Sequence, residues 1–265
     1  MANTENAIGF FDSGVGGTSI WKEVLALLPQ ENTIYLADSK NAPYGNKSTN
    51  KIIDLCVKNT NFLLQKKCKL IVVACNTATT NAIDYLRANY TVPFIGIEPA
   101  IKPAALLTKT KTIGILATKG TLNSSLFEKT SKSLKNDITI IETIGKGLVE
   151  LIESGKLNSK EMTNLLNTYL QPMLKNNIDS LVLGCTHYPY LIPQIRTIVG
   201  DKIKIIDSGE AVAKQTKNIL TENNLLNTTT KIAKHQLYSN MNTDVLKALV
   251  NTTKLKNSNI IDQNF

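Results

Sequence analysis

The chain has 265 residues, 42% of them hydrophobic, and carries a net charge of +9. That length permits one large α/β domain or two smaller ones sharing a cleft, and no run of residues approaches the length of a membrane span. The charge is almost all lysine, Arg87 and Arg196 being the only arginines, and it forms neither a basic stripe nor a platform with aromatic residues, so no nucleic acid is expected as a partner.

No basic stretch followed by an apolar one precedes the first strand-like run, so no signal peptide and a cytoplasmic location are expected. Apolar runs then alternate with helix-like stretches along the chain. The runs are Ile8–Phe11, Thr33–Leu36, Leu70–Ala74, Phe94–Ile97, Thr112–Leu116, Ile138–Ile141, Ser180–Leu183 and Ile203–Ile206. Several are continuously apolar and rich in Ile and Val, as parallel strands buried on both faces are. Amphipathic stretches lie between them, among them Lys51–Gln65, Thr77–Tyr90, Asn123–Leu134 and Lys160–Lys175. This alternation predicts βαβ units and parallel sheets. The tail, Thr252–Phe265, is polar and is expected to fray.

The chain repeats itself. Leu70–Thr77 resembles Ser180–His187, with Cys75 and Cys185 in equivalent places 110 residues apart. Ile8–Gly14 matches Ile113–Lys119, and Thr33–Leu36 matches Ile138–Ile141, both at an offset of 105. Phe94–Ile97 and Ile203–Ile206 follow in the same order. Four matches in one order predict two similar parallel-sheet α/β domains related by a pseudo-twofold, with the active site in the cleft between them. The first domain is expected to hold residues 1–98 and 207–265, the chain returning to it at the end, and the second residues 99–206.

In open parallel sheets, ligands bind beyond the carboxyl ends of the strands. Cys75 and Cys185 each end a strand run, so a pseudo-twofold places both on one cleft from opposite sides. Each is also expected at a helix N-terminus, where the dipole and free N–H groups favour a thiolate. Two opposed thiols suit a two-base racemase: one thiolate removes the α-proton of an amino acid while a thiol delivers a proton to the other face. A free thiol titrates at about 8.5, close enough to working pH for this duty. Asp12, at the end of the first strand, and His187, two residues past Cys185, are candidates to exchange protons with the thiols. The run Ser13-Gly14-Val15-Gly16-Gly17 predicts close backbone approach to a ligand, but it fits neither nucleotide-binding fingerprint. Cys56 and Cys68 lack such a setting and read as structural. Four cysteines in a chain this long form no disulfide framework, and with only His187 and His235 as histidines they fit no zinc spacing.

These residues resemble the glutamate racemases of the aspartate/glutamate racemase family. The likeness lies in Phe11–Gly17, in Asp38-Ser39 with Pro43-Tyr44-Gly45, in Ala74–Ala78, in Ala117–Thr121, in Gly184–Pro189 and in Ile206–Gly209, and it covers roughly Ile8 to Gln215. The resemblance implies that Cys75 acts on the D-isomer and Cys185 on the L-isomer, with Asp12 assisting Cys75 and His187 assisting Cys185. It implies a glutamate, matched by Glu153, near the second cysteine. It places the substrate among Asp12, Ser13, Pro43, Tyr44, Gly45, Asn76, Thr77, Thr118, Thr121, Thr186 and His187. It further implies no pyridoxal phosphate and no metal, a homodimer, and D-glutamate supply for peptidoglycan. The chain departs from its relatives in two places. Glu150 stands where they often have proline, which leaves Glu150 and Glu153 as alternatives, and Leu237–Asn240 lacks a glycine common after the serine. The rival readings are another reaction on the same scaffold (aspartate or hydantoin racemisation, a decarboxylation or an isomerisation), a cysteine hydrolase using Cys185 and His187, and a basic nucleic-acid binder. Residues two apart rarely make a competent dyad, and the last two readings leave Cys75 without a role.

Overall fold

The computed structural model describes residues 3–134, 138–250 and 257–265. Its first sheet contains β1 (Ile8–Asp12), β2 (Thr33–Ala37), β3 (Leu70–Val73), β4 (Phe94–Ile95), β9 (His235–Ser239) and β10 (Ser258–Asp262), in the order β10-β9-β2-β1-β3-β4. The second contains β5 (Thr112–Ala117), β6 (Thr139–Ile144), β7 (Ser180–Gly184) and β8 (Lys204–Ile206), in the order β6-β5-β7-β8. Every strand pair is parallel. The order 2-1-3-4 recurs as 6-5-7-8, which is the internal repeat read from the sequence. The repeat extends to a turn: α2 (Thr49–Gln65) and α8 (Lys160–Lys175) each lead into a left-handed residue, Lys67 at φ 60° and Asn177 at φ 56°, and these are also 110 residues apart.

The central strands form because their residues are buried on both faces. All five residues of β1, all five of β2 and all five of β7 are buried, so their near-continuous apolar runs are what two layers of covering helices require. Gly9 in β1 admits the Cys68 Sγ and the Leu63 methyls, which a Cβ would meet at about 3.0 Å. Cys56 and Cys68 are buried and free, and burial pushes the Cys68 thiol up to about 12. Their structural role stands on that packing.

Three local expectations change. The fourth strand stops at Ile95 rather than Ile97, because the Ile97 N–H turns to the Thr79 hydroxyl at 2.9 Å instead of continuing the ladder. The helix in the stretch Asn123–Leu134 is shorter, Ser125–Lys132, and a separate short helix precedes it. Ser124 accepts from the Phe127 N–H and donates to the Thr121 carbonyl, so it ends α5 (Lys119–Leu122) and caps α6 (Ser125–Lys132). The tail does not fray over its last part: residues 258–262 pair with β9 along its length, while Thr252–Lys256 lie outside the described residues.

After Asp207 the chain returns to the first sheet. Helix α10 (Gly209–Glu222) packs on α1 (Thr18–Leu27), and β9 pairs with β2. A buried ion pair fastens this return. Glu31 accepts from Lys69 Nζ at 2.6 Å and from the Asn227 N–H at 2.8 Å, while Lys69 Nζ also reaches the Thr4 carbonyl. Removing one partner strands the other charge in the interior. Lys69→Met is therefore expected to lose about 3–5 kcal/mol of stability, measured by urea unfolding followed by far-ultraviolet circular dichroism. A loss under about 1 kcal/mol contradicts this reading of the pair.

Candidate active site

The carboxyl ends of the two sheets face each other, and a narrow, nearly closed cleft lies between them. Its walls include Ser13, Pro43, Tyr44, Gly45, Cys75, Asn76, Thr77 and Thr118, with Val149, Cys185, Thr186 and His187. Both cysteines thus open onto one cavity. Of the other residues expected there, Asp12, Thr121 and Glu153 stand behind the lining. Thr121 is fully buried and bonds to the hydroxyls of Thr77 and Thr118.

The first thiol is built by β3 and α3 (Asn76–Asn89). Cys75 is the N-cap of α3, its sulfur accepting from the Ala78 N–H at 3.4 Å and facing the Ser13 hydroxyl at 3.7 Å. The helix end does not dominate, contrary to expectation. Burial, and then the charge of Asp12, push the Cys75 thiol well above its usual range, and the N–H groups of Ala78 and Ser13 offset only part of this. Asp12 is itself fully buried, and burial raises its carboxyl against the pull of His187 and the Gly17 N–H. Its Oδ2 accepts from the Gly17 N–H at 2.7 Å, and its Oδ1 lies 3.4 Å from the hydroxyls of Ser13 and Thr186.

The second thiol is built differently. Cys185 does not open an α-helix: a turn and the 3-10 segment Tyr188–Leu191 intervene before α9 (Ile192–Val199). In place of a helix end it has His187. The Cys185 Sγ lies 3.7 Å from His187 Nδ1, so residues two apart do meet here. The His187 Nε2 lies 2.6 Å from Glu153 Oε1, at the end of α7 (Leu148–Glu153). That settles the choice between glutamates, since Glu150 is exposed and Glu153 completes a Cys–His–Glu line. Burial alone disfavours a charged His187, but the Cys185 sulfur and the Glu153 carboxylate outweigh it and hold the ring well above the ordinary imidazole range. Burial likewise opposes the Glu153 anion, and His187, the Val15 N–H and the Ser39 hydroxyl together hold it below the usual carboxylate range.

The glycine-rich run has an unexpected neighbour. A Cβ on Gly14 would come within 1.9 Å of Glu153 Oε1, and one on Gly16 within 2.2 Å of His187 Nδ1. The close approach read from this run is made to the relay of the opposite half. Across the same seam a Cβ on Gly120 would strike the Gly45 backbone at 2.9 Å. Val149 escaped the sequence reading, although it lies one helical turn before Glu153 and shares its face of α7. One buried donor in the cleft, Asn76 Nδ2, has no partner among the described residues. A buried amide left unpaired is costly, so this atom awaits an acceptor.

Comparison with known proteins bears on the family and the fold. The model of the Asp/Glu/hydantoin racemase family matches residues 18–216. The chain is 44% identical to the glutamate racemase of Herpetosiphon aurantiacus over 84% of its own length and 88% of that protein. It superposes on a glutamate racemase isoform of Bacillus anthracis with a TM-score of 0.87 at 29% identity, covering 99% of each chain. With the Escherichia coli glutamate racemase, solved with L-glutamate and the activator UDP-MurNAc-Ala, the TM-score is 0.84 at 30% identity over 97% of each chain.

His187 makes a pH-dependent contribution to stability. Its folded value lies above the unfolded one, so the stability it adds is fully present below about pH 6.5 and is lost as pH rises through the folded value. Glu153→Gln is expected to lower the His187 midpoint in a nitrogen-15 histidine titration and to cost more stability at pH 6 than at pH 9. An unchanged midpoint contradicts the relay as drawn.

Proposed function

The chain belongs to the Asp/Glu/hydantoin racemase family, and we propose that it interconverts L- and D-glutamate, without a cofactor, by proton transfer between two cysteines. The observation that carries this reading is the opening of Cys75 and Cys185 onto one cleft from the two sheets.

Cys185 takes the α-proton of L-glutamate, and Cys75 delivers a proton to the opposite face to give the D-isomer. In the reverse direction the roles exchange. The two thiols have different support. His187, held charged by its neighbours, lies 3.7 Å from the Cys185 sulfur and can exchange a proton with it. Burial and then the charge of Asp12 raise the Cys75 thiol, which suits it to act as the acid. The substrate ammonium, entering beside Asp12 and Ser13, supplies the positive charge that this end lacks. It lowers the barrier to a Cys75 thiolate when the D-isomer is bound, and Asp12 assists the transfer.

The carboxylates of the substrate meet hydrogen-bond donors. Asn76 Nδ2 offers its unpaired N–H, and the hydroxyls of Thr77, Thr118 and Thr121 form a cluster within 2.8–3.3 Å of one another that can turn toward an anion. Thr186 and the turn Pro43-Tyr44-Gly45 complete the enclosure. Donors fixed in place before the reaction stabilise charge as it develops on the α-carboxylate. The substrate of the E. coli relative, L-glutamate, favours glutamate over aspartate here.

The same reading divides the chain into residues 1–98 with 207–265, and 99–206. It assigns the protein to the cytoplasm, to a homodimer and to D-glutamate supply for peptidoglycan. Among the described residues no helix is long and apolar enough to cross a membrane. A hydrolase using Cys185, His187 and Glu153 would have the geometry of a nucleophile with its base, yet it leaves Cys75 and Asp12 idle.

Cys75→Ser and Cys185→Ser are each expected to reduce racemisation of glutamate by at least about 10²-fold, the usual worth of a positioned acid or base. Circular dichroism of L- and D-glutamate solutions follows the reaction without added cofactor. Loss in only one variant contradicts two-base chemistry, and decay of the aspartate signal instead of glutamate contradicts the substrate.

A further inference from the structure

The relay behind Cys185 lies on the second half of the chain, yet its last member is gripped by the first. Glu153 Oε1 accepts from the Val15 N–H at 2.7 Å as well as facing His187, and Glu153 Oε2 accepts from the Ser39 hydroxyl at 2.8 Å. Gly14 gives up its Cβ space to the same carboxylate. The turn that presents Ser39 is itself pinned on both sides. Asp38 accepts from Asn41 Nδ2, from Asn240 Nδ2 and from the Tyr44 hydroxyl, and the Lys40 N–H donates to Asn240 Oδ1. Ser39 is therefore held in place by backbone and side chains that do not themselves touch Glu153. The Tyr44 held by the same Asp38 lines the substrate cleft.

We propose that Ser39 is a positioning residue for the Cys185 half-reaction, holding Glu153 behind His187 across the seam between the two halves. The inference rests on the two-cysteine reading above. Ser39 touches neither thiol nor substrate cleft; it acts through Glu153 on the orientation of the His187 ring. The pinned turn thereby ties two parts of the site together: Tyr44 in the cleft wall and Ser39 behind the relay are held by the same Asp38.

The consequence is asymmetric between the isomers. Mirror-image isomers have an equilibrium constant of one, so a variant must lose kcat/KM equally in both directions. The separate constants are free to move. Ser39 acts through Glu153 and His187 on the Cys185 side alone, so loosening it disturbs the complex with L-glutamate, whose α-proton Cys185 takes, and raises KM for the L-isomer relative to the D-isomer.

The test compares Ser39→Ala with the unmodified protein in two measurements. Initial rates with each isomer by circular dichroism are expected to show kcat/KM about ten-fold lower in both directions, the worth of one hydrogen bond to a charged group, with the ratio of KM for L- to D-glutamate raised. Nitrogen-15 histidine spectra are expected to show the His187 Nε2 proton exchanging with solvent about ten-fold faster, because its acceptor is less firmly held. An unchanged KM ratio together with an unchanged exchange rate overturns the proposal. A general structural defect would lower both kcat values alike and leave the ratio in place, which also overturns it. If the unmodified protein racemises nothing, the two-cysteine reading fails, and the His187 exchange rate alone then decides whether Ser39 positions the relay.

Discussion

Glu153 pressed against Gly14, and His187 against Gly16, set the distance between the two halves. Any side chain at either glycine would drive atoms to within about 2 Å of the relay. The halves can approach this closely only because the seam is lined by glycine on one side and by hydrogen-bonding groups on the other. Close approach is what the chemistry needs. Two thiols must stand on opposite faces of one small carbon centre, and each belongs to a different sheet. The first strand loop, the Asp38–Tyr44 turn and α7 are therefore parts of one interface, and the cleft exists only where they meet.

A repeated fold has produced two unlike acid–base groups. The strand order 2-1-3-4 recurs as 6-5-7-8, and Cys75 and Cys185 occupy matching ends of β3 and β7. After those matching positions the halves diverge. Cys75 runs into a fourteen-residue helix and sits beside a buried carboxylate that keeps its proton on. Cys185 runs into a turn that folds His187 back onto its own sulfur. The repeat places the two sulfurs, and the groups around them differ: a buried carboxylate stands near Cys75 and an imidazole beside Cys185.

Much of this was legible in the sequence, and what was not has physical reasons. Continuous Ile and Val runs marked the buried strands, because burial on both faces leaves no alternation to confuse. The repeat fixed which cysteines matter. β10 was hidden because it lies at the sheet edge with mixed exposure, so its composition reads as loop. The glycine run was read as a ligand cradle because sequence shows that a backbone is approached but not by what. His187 was expected to assist Cys185, and the tight turn after β7 brings the two together; spacing alone had argued only against a hydrolase dyad. Val149 and the role of Ser39 were missed for opposite reasons: Val149 is an ordinary core-type residue whose helical phase with Glu153 was the available signal, while Ser39 stood in a quoted motif but meets its partner 114 residues away.

The central claim is that two groups, not one, handle the α-proton. The most direct measurement follows L-glutamate in deuterium oxide at early times and determines deuterium at the α-carbon of each isomer separately. Two bases on opposite faces predict deuterium in the newly formed D-glutamate while the recovered L-glutamate still carries protium. Deuterium appearing in recovered L-glutamate as fast as in the product would mean that a single exchanging group serves both faces, and would contradict the account.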